Sequence, residues 1–183
     1  MNFKEVLSYI AKNFEKNKIR YGLIGGFSLG ILGIIRTTVD LDFLIDRRDL
    51  SKVDKIMEEK GYRCVFKTEN VSQYISDDPD LGEVDFLHAF RKYSLKMLER
   101  ALKKRVFKDE ITVKVLRPED IIGLKIQALV NDPEREHREY ADIGDILSLY
   151  GNKIDWGILK EYFSLFKLEK KFKELEERYK NVN

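Results

Sequence analysis

Leu23-Ile24-Gly25-Gly26-Phe27-Ser28 and, shortly after it, Arg36-Thr37-Thr38-Val39-Asp40-Leu41-Asp42-Phe43-Leu44-Ile45 are the stretches that decide the fold. The first reads as a short strand over 20–24, broken by two glycines before a short helix over 27–34. The second reads as a strand over 39–45. Residues i and i+2 of a strand share a face. Asp40 and Asp42 therefore point one way, and Val39, Leu41, Phe43 and Ile45 form the opposite, core-facing side. Adjacent carboxylates on an apolar strand repel each other and lose solvation unless positive charge lies between them. A divalent cation supplies it, and hard oxygen ligands favour Mg²⁺ or Mn²⁺. A solvated strand end, with Arg36 or a lysine as partner, explains the pair equally well on its own.

A third acid adds weight. Asp85 lies in Glu83-Val84-Asp85-Phe86-Leu87, again alternating with apolar residues. If that strand neighbours the first, three carboxylates converge, and such a group holds metal ions that activate a hydroxyl and neutralise a phosphate leaving group. Asp85 is also placed to take the hydroxyl proton, with Glu83 as the rival acid on the same face. Gly25-Gly26 lets the backbone approach a polyphosphate, and the helix after it offers N–H groups and its positive end. Ser28 adds a hydroxyl. A tight turn needing positive φ is the commoner meaning of paired glycines. No G-K-[ST] follows and no G-x-G-x-x-G occurs, so this is neither a P-loop nor a dinucleotide fingerprint.

Outward from these stretches, apolar spacing predicts a helix over 2–17 and another over about 49–60 closed by Gly61. Strands are expected over 62–66, 71–75 and 83–87, a helix over 91–104, and a hairpin of 106–107 with 111–116 across Asp109-Glu110. Pro118 opens a helix to about 130, and helices follow over about 135–149, 155–163 and 165–180. The expected organisation is an α/β (α+β) domain over 1–116 with a mixed sheet flanked by helices, and a C-terminal helical region over 117–183 packed on it.

Paired glycines after a strand, a short helix, then R-x-T-x-D-x-D (Arg36, Thr38, Asp40, Asp42) and a later strand aspartate resemble the polymerase-beta-type nucleotidyltransferase superfamily. Within it the chain is most similar to abortive-infection toxin nucleotidyltransferases and their small relatives. The resemblance covers 20–46 and 82–88, and extends to the region from Pro118 to Leu149. It implies a palm-like mixed sheet, phosphate binding at Gly25 and Gly26, metal binding at Asp40, Asp42 and Asp85, and an NTP substrate. Gly26 stands where many members carry Ser, so a hydroxyl is missing there, and Ser28 is a candidate substitute. The family also places a lysine on a helix after the sheet and an aspartate on the next. Lys125 interrupts the apolar run from Ile121 to Val130 and Asp142 follows it. Lys125 reaching a triphosphate and Lys125 snorkelling at the surface are both open. Asp142 and Asp145 are spaced to pair with Arg138. His88 and His137 lack a nucleophile partner and read as structural or exposed.

The 183 residues carry Lys+Arg 34 against Asp+Glu 32, a formal net charge of +2, with 43% hydrophobic and 36% charged residues. The near-balance gives no whole-molecule case for a polyanion, but it conceals segregation. Thr68–Asp85 holds six acids and no base, and Arg91–Lys108 holds eight bases and one acid. Arg91, Lys92, Lys96, Arg100, Lys103 and Lys104 form a basic helix able to follow an RNA backbone, although a solvated helix face explains a charge run more simply. High charge, a single cysteine and two glutamines hint at a thermophile. Cys64 excludes an internal disulfide and is expected in a core. Charges at Lys4, Glu5 and Lys12 interrupt any secretory signal, and the uncharged run from Tyr21 to Ile35 is too short to span a bilayer, so a soluble cytoplasmic protein is expected.

The leading expectation is a metal-dependent transfer of an NMP from an NTP, such as ATP, to an acceptor hydroxyl on RNA, protein or a small molecule. Asp40, Asp42 and Asp85 hold metal, and Gly25, Gly26, Ser28, Arg36 and Lys125 hold the triphosphate. The alternative is a catalytically weak or inactive nucleotide- or partner-binding protein of the same fold, such as a toxin–antitoxin component. An aspartyl-phosphate phosphatase ranks last, because Arg36-Thr37-Thr38 occupies the place of the apolar run such a motif needs before Asp40.

Overall fold

The computed structural model describes residues 1–180 of the chain. Contacts divide it into two compact units, one spanning Met1–Leu116 and one beginning at Arg117. The last three positions of the expected helical region, 181–183, lie outside the described residues.

The first unit contains α1 (Phe3–Lys16), β1 (Tyr21–Ile24), α2 (Gly25–Ile31), β2 (Asp40–Asp46), α3 (Leu50–Lys60), β3 (Arg63–Lys67), β4 (Val71–Ile75), β5 (Glu83–Ala89), α4 (Lys92–Glu99), β6 (Leu102–Val106) and β7 (Ile111–Val115). The strands form one mixed sheet in the order β3-β4-β5-β2-β1-β7-β6. β2 pairs parallel with β5 and antiparallel with β1, and β1 pairs parallel with β7.

Local chemistry sets the ends of the helices. The Asn2 side chain accepts from the Glu5 N–H at 3.2 Å and starts α1. Gly61 closes α3 in the left-handed conformation at φ +96°. The core sits on one face of the sheet. Leu7, Ile10 and Phe14 of α1 and Val53 and Met57 of α3 pack there with Leu41, Phe43 and Ile45 of β2 and Val84 and Phe86 of β5. Phe43 stacks on Phe86 with ring centroids 5.5 Å apart. Burying such side chains contributes about 1.5–3 kcal/mol each, so the phase of β2, and with it the face its acids occupy, is strongly determined.

The second unit is helical: α5 (Pro118–Asn131), α6 (Glu136–Tyr150), α7 (Trp156–Leu165) and α8 (Glu169–Tyr179). Asp155 caps α7 through the Gly157 and Ile158 N–H groups. Buried Asp120 accepts from the Tyr162 hydroxyl at 2.6 Å, joining α5 to α7. Gly123 is packed tightly against Tyr162, whose Cδ2 lies 2.8 Å from where a Cβ would stand.

Several expectations need correction. The helix expected over 91–104 stops at Glu99, and 102–106 is a strand paired with β7. The apolar spacing Leu95, Leu98, Leu102 continues without a break, so only long-range pairing tells strand from helix here. Cys64 is exposed rather than buried, because β3 is an edge strand with all five residues exposed. Val39, expected on the core side, precedes β2 and is 78% exposed. Among the described residues no helix is long and apolar enough to cross a membrane.

Candidate active site

The acids occupy the sheet face opposite the aromatic core. Asp42 is in register with Asp85 on the adjacent parallel strand, and Asp40 is in register with Glu83. Neighbouring strands lie about 4.8 Å apart. On its other side Asp42 opposes Ile24, the last residue of β1, so the acid strand runs directly beside the glycine turn.

Gly25 adopts φ +66°. A Cβ there would overlap the Asp42 carboxylate, 2.5 Å from its Cγ. Only glycine satisfies both demands, the left-handed backbone and the contact. A Cβ at Gly26 would stand 2.7 Å from Thr38 Cβ, 2.9 Å from Thr38 Oγ1 and 3.5 Å from Arg36 Cγ. The turn is thus walled by Asp42 on one side and by Thr38 and the stem of Arg36 on the other. Thr38 Oγ1 donates to Asp40 Oδ1 at 2.6 Å.

Asp85 is electrostatically stressed. Burial raises its pKa, the hydrogen bond from Gln73 opposes the rise, and the charges of Glu83 and Asp40 add to it. Gln73 Nε2 donates to Asp85 Oδ2 at 3.2 Å. Asp85 Oδ1 is buried without a hydrogen-bond partner among the described residues. A buried carboxylate oxygen left bare costs on the order of 1–3 kcal/mol and fits a site meant for a cation or a proton. Among the described residues no three His, Cys, Asp or Glu side chains gather closely enough to hold a metal by themselves. The all-oxygen donor set and the bare Oδ1 nevertheless suit a hard divalent cation that takes its remaining ligands from phosphate and water.

Other expected site residues have partners within their own unit. Ser28 is fully buried, and its hydroxyl donates to the Gly25 carbonyl at 2.8 Å, so it braces the turn from inside. Lys125 belongs to the second unit, where its Nζ lies 2.9 Å from Glu139 Oε2 and 2.5 Å from Asp142 Oδ2. Its side chain is 13% exposed, which rules out the snorkelling surface lysine. Asp142 therefore pairs with Lys125, 17 positions earlier in the sequence, a partner that its spacing to Arg138 did not suggest. His88 is buried between Ser72 Oγ and the Glu69 carbonyl, and burial lowers its pKa. His137 is exposed. The basic run is no single helix: Lys92 and Lys96 lie on α4, Arg91 and Arg100 flank it, and Lys103 and Lys104 lie on β6.

Sequence reasoning gave no role to Gln73 or Thr38. The polar residue in the alternation of Val71-Ser72-Gln73-Tyr74-Ile75 was a signal for Gln73, but the β4–β5 register that sets it opposite Asp85 was not. Thr38 was visible only as a letter in the motif.

Glycine turn, paired acids and mixed sheet define a nucleotidyltransferase of the polymerase-beta type. The chain belongs to the family described as uncharacterised nucleotidyltransferases, whose sequence profile matches residues 2–175. No curated protein matches the sequence. The fold is similar over 100% of both chains to the solution structure of the antibiotic-resistance factor ANT(2'')-Ia, with TM-score 0.65 and 14% identity. It is also similar to the lincosamide antibiotic adenylyltransferase LnuA bound to lincomycin, over 80% of this chain and 97% of that one, with TM-score 0.54 and 17% identity. A putative nucleotidyltransferase from Thermotoga maritima matches over 76% of this chain and 92% of that one, with TM-score 0.53 and 16% identity. At these identities the likeness is one of fold.

Proposed function

We propose that the protein transfers an NMP from an NTP to an acceptor hydroxyl, in a reaction dependent on Mg²⁺ or Mn²⁺. The observation that carries this reading is Asp85, in register with Asp42 across from the Gly25 turn, with a buried carboxylate oxygen that nothing among the described residues satisfies. Asp40, Asp42 and Asp85 would hold the cation, which when bound neutralises phosphate charge and favours departure of pyrophosphate. The residues of the chain do the rest. Gly25 and Gly26 admit the phosphates close to the backbone, and Arg36, its stem beside Gly26, supplies charge to them. The raised pKa of Asp85 suits it to accept the acceptor's proton. The acceptor oxygen then bonds to the α-phosphorus, the bond from that phosphorus to the bridging oxygen breaks, and pyrophosphate leaves with the electron pair.

A small hydroxylated molecule is favoured as acceptor over RNA, because the basic residues do not share one helix face. LnuA is a lincosamide antibiotic adenylyltransferase, and ANT(2'')-Ia has been captured with adenylyl-2''-tobramycin. Those acceptors are the first to try.

The test is incubation with Mg²⁺ or Mn²⁺ and each α-labelled NTP, offering small hydroxylated compounds, total RNA and protein in parallel. Transfer that disappears in Asp40→Ala, Asp42→Ala and Asp85→Ala supports the reading. Nucleotide-induced thermal shifts that persist in all three variants, with no transfer in any, favour a binding protein, including a toxin–antitoxin component.

A further inference from the structure

We propose that Thr38 is a positioning residue for the candidate site, fixing the carboxylate of Asp40 in the orientation that receives a divalent cation. The inference rests on the metal-dependent reading above. Three observations carry it. Thr38 Oγ1 donates to Asp40 Oδ1 at 2.6 Å, a short charge-assisted bond. The same hydroxyl lies 3.3 Å from the Asp40 backbone carbonyl, the longer of the two acceptors within reach of its single proton, so either choice keeps it on Asp40. The Thr38 Cβ and Oγ1 also stand 2.7 and 2.9 Å from where a Cβ at residue 26 would be, so Thr38 is wedged against the glycine turn and cannot rotate freely.

Asp40 is the first residue of β2. The strand ladder does not hold the chain before it, which carries the fully exposed Ile35 and the largely exposed Val39. A carboxylate at such a frayed edge would sample several rotamers. Thr38 removes that freedom with one oxygen of the pair and leaves Oδ2 for a cation. A β-branched residue suits the task because its χ1 is stiff. The wedge also dictates the glycine at 26: any side chain there would push Thr38 off Asp40.

Hydrogen-bonded partners of metal ligands typically affect metal affinity by about 10–100-fold when removed. The test is Mn²⁺ binding, followed by the EPR signal of free Mn²⁺, in the presence of a non-hydrolysable α,β-methylene ATP. Wild type is compared with Thr38→Val, Thr38→Ser and Asp40→Asn, and melting temperatures of all four check folding. Thr38→Val is expected to weaken binding about 10-fold, whereas Thr38→Ser, which keeps the hydroxyl, stays within about twofold of wild type. Should Thr38→Val melt early, Thr38→Ala takes its place. Wild-type binding in Thr38→Val with clear loss in Asp40→Asn overturns the role of Thr38 and leaves the metal reading intact. Equal loss in Thr38→Ser and Thr38→Val also overturns it, since the hydroxyl would then not be the operative group. Unchanged binding in Asp40→Asn removes the metal reading itself, and this inference with it.

Discussion

The Asp42 carboxylate rests against the α-carbon of Gly25, so the acid strand and the glycine turn are one piece of structure rather than two motifs brought side by side. Replacing Gly25 by Ala forces a Cβ into that carboxylate and into a left-handed backbone. The left-handed residue alone costs about 1–2 kcal/mol, and displacing a reacting group by about 1 Å costs on the order of 100-fold in rate. Gly25→Ala is therefore expected to remain folded with lowered stability and to lose about 99% of transfer, read by urea denaturation beside the labelled-NTP assay.

Asp85 should show the opposite signs for stability and activity. Its folded pKa is raised above the unfolded value by burial, with Glu83 and Asp40 adding and Gln73 opposing. Its favourable contribution is thus complete below the ordinary carboxylate pKa and is lost as pH rises through the folded value. At neutral pH without divalent metal, Asp85→Asn should be the more stable protein, by about 1 kcal/mol. The advantage should fade on acidification, while transfer drops by roughly 1,000-fold. Melting in EDTA from pH 3 to 8 measures the first part; an Asn variant less stable than wild type at pH 7 would refute it.

Asp46 behaves in the reverse sense. It is buried at the end of β2, and although burial opposes ionisation, hydrogen bonds from Arg48 and Arg20 and the charge of Arg20 hold its pKa at about 2. The stability this gives is present in full above the unfolded pKa of about 3.8 and disappears as pH falls towards 2. Asp46→Asn should cost about 2 kcal/mol at pH 7 and little at pH 2. Chemical denaturation at both pH values separates the two.

Lys125 lies between two carboxylates whose side chains are at most 4% exposed. Arg135 also reaches Glu139, at 2.6 Å. Removing one partner from a buried ion group costs about 3–5 kcal/mol. Lys125→Met should therefore destabilise the protein by about 3 kcal/mol, and adding Asp142→Asn should recover part of the loss. A stable Lys125→Met protein with weakened NTP binding would instead return Lys125 to the triphosphate.

How much was legible in the sequence depended on whether a signal was local. The alternation Asp40-Leu41-Asp42-Phe43 carried its own phase, so strand and acid face could be read directly, as could the glycines beside β1. Where information lay in pairing, reading failed. Leu102 continued a helical rhythm until β7 claimed it, and Cys64 looked like a core residue until β3 proved to be an edge. The contacts of Gln73 and Thr38 were unreadable for a related reason: a hydrogen bond between residues of modest type leaves no periodic trace. The Ser28 bond was unreadable as well, because a hydroxyl beside a glycine turn reads alike whether it faces outward or closes on the Gly25 carbonyl.

β2 lies inside the sheet, flanked by β5 and β1, with Phe43 stacked on Phe86 on one side and Asp42 facing Asp85's register position on the other. Deleting one residue from it would carry Phe43 onto the polar face and carboxylates into the aromatic interior at a single stroke. Length changes compatible with this fold thus belong in the connections, such as 32–39, and a variant that keeps the core phase of β2 keeps positions 40 and 42 on the polar face.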